Sequence, residues 1–111
     1  MYQGNQYREE RKHEHHHQAG TERFAQAERV YRDAIKACGI DPVLLYNLGV
    51  LLDDMGRKNE AMETYQAALR SNPDLADCHY NLALLCEELR KPKDAIRHMA
   101  QYRRLMETES E

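Results

Sequence analysis

One pattern of apolar residues recurs along the chain at a fixed spacing of 34 residues. Its central copy consists of Leu45, Leu48, Gly49, Leu52, Ala61, Tyr65, Ala68 and Pro73. Adding 34 leads to His79, Leu82, Ala83, Cys86, Ala95, Met99 and Tyr102, and subtracting 34 from the second half leads to Ala27, Tyr31 and Ala34. Within each copy the residues follow one helix face at i, i+3, i+4 and i+7 in two successive blocks. A repeat of this length predicts helix-turn-helix units, each stacked on its neighbours.

Length and charge limit the class of protein. A chain of 111 residues has room for one domain with its own core. The formal net charge of −3 argues against general nucleic-acid binding. No apolar run approaches the roughly 20 residues that span a bilayer, and residues 1–20 lack the apolar segment of a signal peptide. We therefore expect neither nucleic acid nor a membrane as a partner.

The cysteines and the absence of catalytic motifs point to a non-catalytic protein of the cytoplasm. Cys38, Cys78 and Cys86 are odd in number and lack the spacing of a zinc site, which favours reduced thiols and no cofactor. Cys78 and Cys86 fall at or beside core positions and are expected to be buried, inert thiols. The repeat places no nucleophile beside a base, and the chain has no glycine-rich phosphate loop. The sequence thus predicts no enzyme.

Polarity divides the chain into an arm, a domain and a tail. Residues 1–21 are almost wholly polar, and Arg11, Glu14, His15 and Gln18 stand where a preceding helix would need core residues. We interpret this segment as a disordered or loosely helical, histidine-rich arm in which Gly20 ends any helix. The predicted domain is 22–106, made of the second helix of a partial repeat (22–38) and two full repeats (42–71 and 73–106). Residues 107–111 are expected to fray.

Start and stop signals place five helices in the domain. Asp41-Pro42 and Asn72-Pro73 each combine a capping side chain with a proline suited to the first turn. Gly39 and Gly56 stand where helices should end. The expected helices cover about 22–38, 42–56, 58–70, 73–89 and 92–106, with Ile96 and its apolar neighbours in the last helix facing inward.

The repeated residues resemble the tetratricopeptide repeat family. The family's large residue, Leu-Gly, aromatic, alanine, aromatic and proline map onto Leu45, Leu48-Gly49, Leu52, Ala61, Tyr65 and Pro73. Departures are Leu45 and His79 in place of tryptophan, Ala83 in place of glycine, Cys86 in place of an aromatic residue, and no proline after Tyr102. The resemblance implies an all-α fold of antiparallel helix-turn-helix repeats, stacked as a short right-handed superhelix and used for protein-protein interaction.

The resemblance also implies a binding groove on the concave side of the stack, formed by a second stripe on the first helix of each full repeat. The two stripes comprise Val43, Tyr46, Asn47, Val50, Asp53, Asp54, Asp77, Tyr80, Asn81, Leu84, Glu87 and Glu88. Their identical spacing predicts that they lie side by side. Tyrosines, aliphatic side chains, two asparagines and five carboxylates without a cation among them favour a basic, partly apolar peptide. Alternatively, Arg57, Lys58, Arg90 and Lys91 neutralise the carboxylates and the stripe is a solvated surface.

Two other interpretations remain open. The chain can self-associate as a scaffold, either through Phe24, Tyr31 and Ile35 of the first helix, which lack a preceding apolar helix, or through a basic last helix. That helix carries Lys91, Lys93, Arg97, Arg103 and Arg104. The histidine-rich arm can also bind metal, with His13 and His17 on one face if it is helical; the plainer interpretation is a polar arm without a metal function. His79 is expected to pack in the core and His98 to be solvated.

Overall fold

The computed structural model describes residues 17–110, and the side chains of residues 21–107. Within this part the chain forms five α-helices and no strands. They are α1 (His17–Cys38), α2 (Pro42–Asp54), α3 (Lys58–Ser71), α4 (Ala76–Glu88) and α5 (Pro92–Ser110). Each helix packs on the one that precedes it, so α2 with α3 and α4 with α5 form two successive helix-turn-helix units. The predicted all-α repeat architecture is confirmed.

The first and last helices are longer than the sequence predicts. Gly20 was expected to end any helix in the arm, but α1 begins at His17 and runs through it. A glycine inside a helix costs only about 1 kcal/mol relative to alanine, which adjoining helical turns can outweigh. At the other end α5 continues to Ser110, past the predicted limit at residue 106. The rest of the proposed arm, residues 1–16, lies outside the described residues.

The two predicted helix starts have different outcomes. Asp41 caps α2 as expected, because its Oδ1 accepts hydrogen bonds from the backbone N–H groups of Val43 at 2.8 Å and Leu44 at 3.2 Å. The predicted start of the fourth helix at Pro73 is wrong. There Asn72 Oδ1 accepts from the N–H of Asp74 at 3.0 Å, which stabilises a turn, and α4 begins only at Ala76.

Within the first unit α2 and α3 approach each other closely, and the core they form continues into the second unit. Leu48, Leu52, Tyr65 and Leu82 belong to one buried core that extends over both repeats. A Cβ atom added at Gly49 would lie 2.6 Å from Cδ1 of Tyr65, so only glycine lets the tyrosine ring lie flat on α2. The expectation that Gly49 is small because two helices meet there is confirmed.

A network of ion pairs fastens α1 to the first full repeat. Arg57, in the turn between α2 and α3, donates to Glu28 of α1 at 2.7 Å and to Glu60 of α3 at 3.0 Å. Arg32 donates to the second oxygen of Glu28 at 2.9 Å. The hydrogen bond from Arg57 is the main reason why the pKa of the Glu28 carboxyl lies below its usual value. The guanidinium group of Arg57 is therefore paired with carboxylates of α1 and α3.

Exposure of the end helices differs from expectation in two places. Phe24, expected to be uncovered, is buried with 5% exposure and belongs to the core, which weakens the case for association through α1. Ile96, expected to face inward, is 71% exposed. Its counterpart one repeat earlier, Met62, is partly buried against the core. Met62 lies on α3, which is followed by α4 in the stack. Ile96 lies on α5, and no described helix follows α5 to cover it.

Replacement of Gly49 by alanine tests the contact with Tyr65. Overpacking of a core costs about 1–3 kcal/mol, of which the better helix propensity of alanine offsets about 1. We expect Gly49→Ala to lower the free energy of unfolding by up to about 2 kcal/mol in urea denaturation. The second repeat has Ala83 and Met99 at these positions. In a Tyr65→Met background Gly49→Ala should therefore be neutral or stabilising, and equal destabilisation in both backgrounds would contradict the steric explanation.

The turn after each first helix offers a second test of the repeat. Gly56 and Arg90, which are 34 residues apart, both end a helix in the left-handed region, with φ of 83° and 62°. In this region a residue with a Cβ atom destabilises the folded state by about 1–2 kcal/mol relative to glycine. The difference is partly offset because glycine loses more backbone entropy on folding. We expect Arg90→Gly to raise the free energy of unfolding by about 0.5–1 kcal/mol and Gly56→Ala to lower it by a similar amount. Changes of the same sign in urea denaturation would refute this account.

Candidate functional site

A cavity of about 470 Å³ lies between α2 and α4 on the side where the two predicted stripes meet. Of the predicted residues, it is lined by Val50, Asp53, Asp54, Tyr80, Asn81, Leu84 and Glu88. Val43, Tyr46, Asn47, Asp77 and Glu87 do not line it. Sequence reasoning missed four lining residues, namely Gly56, Lys58, Tyr65 and Leu85. We call this cavity and the two stripes beside it the groove.

A direct hydrogen bond joins the two sides of the groove. Nδ2 of Asn81 on α4 donates to the hydroxyl oxygen of Tyr46 on α2 at 2.8 Å. The ring of Tyr46 in turn lies 5.9 Å from that of Tyr65 in the core. The expectation that the stripes lie side by side therefore holds at this pair. Asn81 keeps its carbonyl oxygen and one amide hydrogen for other partners.

The α4 side of the groove carries exposed apolar surface. Tyr80 and Leu84, one helical turn apart, are both exposed. The ring of Tyr102 on α5 packs against Tyr80 with the ring centroids 5.0 Å apart. Tyr102 occupies the position of Ala68 in the preceding repeat, and the sequence pattern did not indicate that its larger side chain supports the groove. Aromatic and aliphatic side chains of this kind suit an apolar segment of a ligand.

The charge of the groove is more balanced than the sequence predicts. The expectation of carboxylates without a cation is wrong, because Lys58 Nζ hydrogen-bonds to Asp53 Oδ1 and lies 3.3 Å from Glu88 Oε1. Burial alone would lower the pKa of Lys58, but the hydrogen bond and charge of Asp53, with those of Glu88, outweigh it and raise this pKa. Arg57, the other proposed neutralising residue of this turn, bonds instead to Glu28 and Glu60.

Asp54 is not an accessible carboxylate of the groove. Although it lines the cavity, it is buried with 6% exposure and interacts within the protein. Asp77, Glu87 and Glu88 are exposed and Asp53 is half-buried. Four accessible carboxylates thus accompany the single ammonium group of Lys58, and this surface stays acidic.

The comparison with protein families identifies the repeat. Residues 54–89, from the end of α2 through α4, match the family model described as TPR repeat. The spacing of 34 residues continues through the helices on both sides of that stretch. The stretch 54–89 is therefore a tetratricopeptide repeat.

Known proteins share the fold over most of the described helices. The tetratricopeptide repeat chain superposes on MamA AMB-1 with a TM-score of 0.70 and 25% identity, covering 78% of this chain and 48% of that one. It also superposes on PcrH, in a crystal structure with the chaperone binding region of PopB, with a TM-score of 0.70, 16% identity and coverage of 82% and 72%. The likeness to PcrH concerns the fold alone.

One curated relative is the human protein O-mannosyl-transferase TMTC3, which is 33% identical over 79 residues. The match covers 71% of this chain but 9% of the relative. The stretches of this chain that align span less than a tenth of the length of these curated relatives.

A buried pair of histidines joins α4 to α5 in the second tetratricopeptide repeat. His79 packs in the core as expected, but the expectation that His98 is solvated is wrong, since it is 8% exposed. Nε2 of His79 lies 2.8 Å from the carbonyl oxygen of Pro73, and the two Nδ1 atoms lie 3.1 Å apart. Because a carbonyl oxygen only accepts, His79 Nε2 carries a hydrogen, and Nδ1 of the neutral ring accepts from Nδ1–H of His98. Both rings are satisfied when neutral.

The buried cysteines behave as expected from their positions in the repeat. Cys78 and Cys86 are buried, and none of the three cysteines forms a disulfide. Burial raises the pKa of the Cys78 thiol to about 12 and also raises that of Cys86. Cys78 Sγ donates to the carbonyl oxygen of Tyr65 at 3.4 Å. These thiols stay protonated and contribute to packing.

The proposed metal ligands of the arm fall outside the described side chains. His13 lies outside the described residues. His17 is the first residue of α1, but its side chain is not among those described. Among the described side chains, no three metal-binding groups come together. None of the described helices is long and apolar enough to cross a membrane.

The histidine pair predicts how stability depends on pH. Burial, followed by the charge of Arg97 and by His79, lowers the pKa of His98 below 6.5, whereas Asp94 opposes the shift. The contribution of neutral His98 to the stability of the folded protein is therefore complete above about pH 6.5. It is lost as the pH falls towards the folded-state pKa of His98. We expect the free energy of unfolding to drop by about 1 kcal/mol between pH 7.5 and 5.5.

The preceding repeat supplies a control for this titration. Leu45 and Thr64 occupy the positions of the two histidines there. The double variant His79→Leu/His98→Thr should lose most of the pH dependence of the urea midpoint. An unchanged dependence would assign the titration to other groups.

Proposed function

We propose that the tetratricopeptide repeats form a non-catalytic interaction module that binds a basic, partly apolar peptide segment in the groove. The observation that carries the proposal is the cavity between α2 and α4, which combines accessible carboxylates with exposed apolar side chains. Tyr80 and Leu84 contribute the apolar contact. Asp53, Asp77, Glu87 and Glu88 contribute negative charge, which favours lysine or arginine on the ligand.

The asparagines of the stripes extend the proposed contact to the ligand's backbone. Asn81 retains a carbonyl oxygen and one amide hydrogen beyond its bond to Tyr46. Asn47 stands at the same position one repeat earlier and is half-buried. Amide groups placed one repeat apart suit an extended or helical segment that runs across both helices.

Similar proteins agree with a binding role at the level of the fold. PcrH, which shares the helical arrangement, is known in complex with the chaperone binding region of PopB. A stack of this kind can thus accommodate a segment of another protein. The transferase activity in the names of the curated relatives refers to proteins more than ten times longer than the aligned stretches. We assign the described helices binding and no catalytic step, and we keep the cytoplasm as the proposed location.

A groove built from two helices should bind weakly. An affinity on the order of micromolar corresponds to about 8 kcal/mol. Since the carboxylates are accessible to solvent, salt should screen their contribution and weaken binding further.

Self-association is the second candidate, and one observation favours it. Ile96 is exposed on the outer surface of α5 between the exposed basic residues Lys93 and Arg97. This surface has the basic, partly apolar character that the groove should prefer. A second copy of the chain is therefore a possible ligand of the same groove, and a homo-oligomer stays a prediction.

Removal of three exposed charges tests the groove. The variant Asp77→Asn/Glu87→Gln/Glu88→Gln should bind an 11-residue peptide of alternating lysine and leucine about tenfold more weakly at low salt. That change is about 0.5 kcal/mol per charge, within the usual range for exposed pairs. Fluorescence anisotropy of the labelled peptide measures the affinity, and a peptide with glutamine in place of lysine should show little change.

A matched control separates the groove from net charge. Asp33→Asn/Glu63→Gln/Glu107→Gln removes the same charge from exposed positions outside the groove. It should keep most of the affinity for the lysine peptide. If both triple variants lose affinity equally, the effect is one of net charge and the groove is not the binding site.

A further inference from the structure

We infer that Lys58 is a built-in competitor for the cationic side chain of the ligand and thereby sets the charge preference of the groove. This inference rests on the proposed function, because it concerns a ligand of that groove. It adds a residue that the two stripes do not contain and a specific place where a ligand lysine or arginine binds, between Asp53 and Glu88.

The place that Lys58 occupies favours a cation. Asp53 lies in the last turn of α2 and Glu88 is the last residue of α4, so both carboxylates stand where the helix dipoles are negative. Lys58 enters from the first residue of α3, and its ammonium group contacts both carboxylates. A cation from a bound peptide would meet the same oxygen atoms from the open side of the cavity.

The contact of Lys58 can be exchanged because it is open to solvent. Its side chain is 35% exposed, that of Glu88 is 60% exposed and that of Asp53 is 19% exposed. The exposed pair with Glu88 adds little net free energy, and a lysine side chain turns easily on its flexible stem. Arg57, the neighbouring residue, bonds instead to Glu28 and Glu60 on the far side. Lys58 is therefore the cation of this turn that reaches the groove.

The comparison of the repeats shows that this lysine is particular to one junction. The position 34 residues after Lys58 is Pro92, which has no charge. Glu87, the counterpart of Asp53, takes part in no ion pair among the described side chains. The competing ammonium group thus acts at the junction of α2, α3 and α4, where the cavity lies.

The variant Lys58→Met tests the inference, since methionine keeps much of the apolar stem and removes the charge. We expect it to bind the lysine-leucine peptide about fivefold more tightly than the natural chain at low salt, and the glutamine-leucine peptide equally well. Lys36→Met removes the same charge from an exposed position on α1, away from the groove and from the basic surface of α5, and should leave both affinities unchanged. Lys58→Gln, which also removes the charge, is measured alongside in case the methionine variant folds poorly.

The other outcomes overturn the inference in separable ways. Equal affinities of the natural chain and the Lys58 variants would refute competition and leave the proposed function standing. Weaker binding by the variants would make Lys58 a direct ligand contact, and an equal gain in Lys36→Met would make the effect one of net charge. If none of these proteins binds the lysine peptide, the proposed function fails and the inference fails with it.

Discussion

The flat contact of the Tyr65 ring on the backbone of α2 at Gly49 connects the core to the groove. The tyrosine is almost fully buried, and burial raises its pKa so that its hydroxyl stays neutral. The same ring lies beside Tyr46, which accepts a hydrogen bond from Asn81 on α4. A single series of contacts therefore runs from the centre of the first repeat to the side chains that join α2 and α4. Tyr65 itself also lines the cavity of the groove.

Two adjacent basic residues at the start of α3, Arg57 and Lys58, pair with different carboxylates. Arg57 bonds to one carboxylate of α1 and one of α3, and thereby attaches α1 to the first full repeat. Lys58 points to the other side and contacts the carboxylates at the ends of α2 and α4. A planar guanidinium suits the bidentate contact with Glu60, whereas a flexible ammonium suits a position between two carboxylates. Adjacent residues of like charge thus have different roles.

The second repeat departs from the first where it lies at the end of the described stack. His79 and His98 form a neutral hydrogen-bonded pair at the positions held by Leu45 and Thr64 in the first repeat. Tyr102 takes the position of the fully buried Ala68 and packs on Tyr80 instead of against a following helix. Ile96, the counterpart of the partly buried Met62, stays exposed. The repeat spacing is kept, while the side chains at these positions have different exposure and partners in the two repeats.

The amino-acid pattern alone predicted the all-α repeat class, the pairing of helices and the register of the two stripes. These follow from spacing along the chain, because residues 34 apart occupy equivalent places and residues at i, i+3 and i+4 share a helix face. The cap at Asp41 and the helix ends at Gly39 and Gly56 are likewise local. The start of α4 was missed because Asn72 uses its side chain for a turn rather than a cap.

The accessibility of the stripe residues and the charge they present could not be predicted from the pattern, because both depend on packing between helices. The burial of Asp54, the position of Lys58 between Asp53 and Glu88, and the contact of His79 with His98 each depend on how separate helices pack. A helical pattern gives the direction of a side chain from its own axis, but not what the next helix places opposite it. For this chain, spacing therefore decided the scaffold, and packing between helices decided the chemistry of its groove.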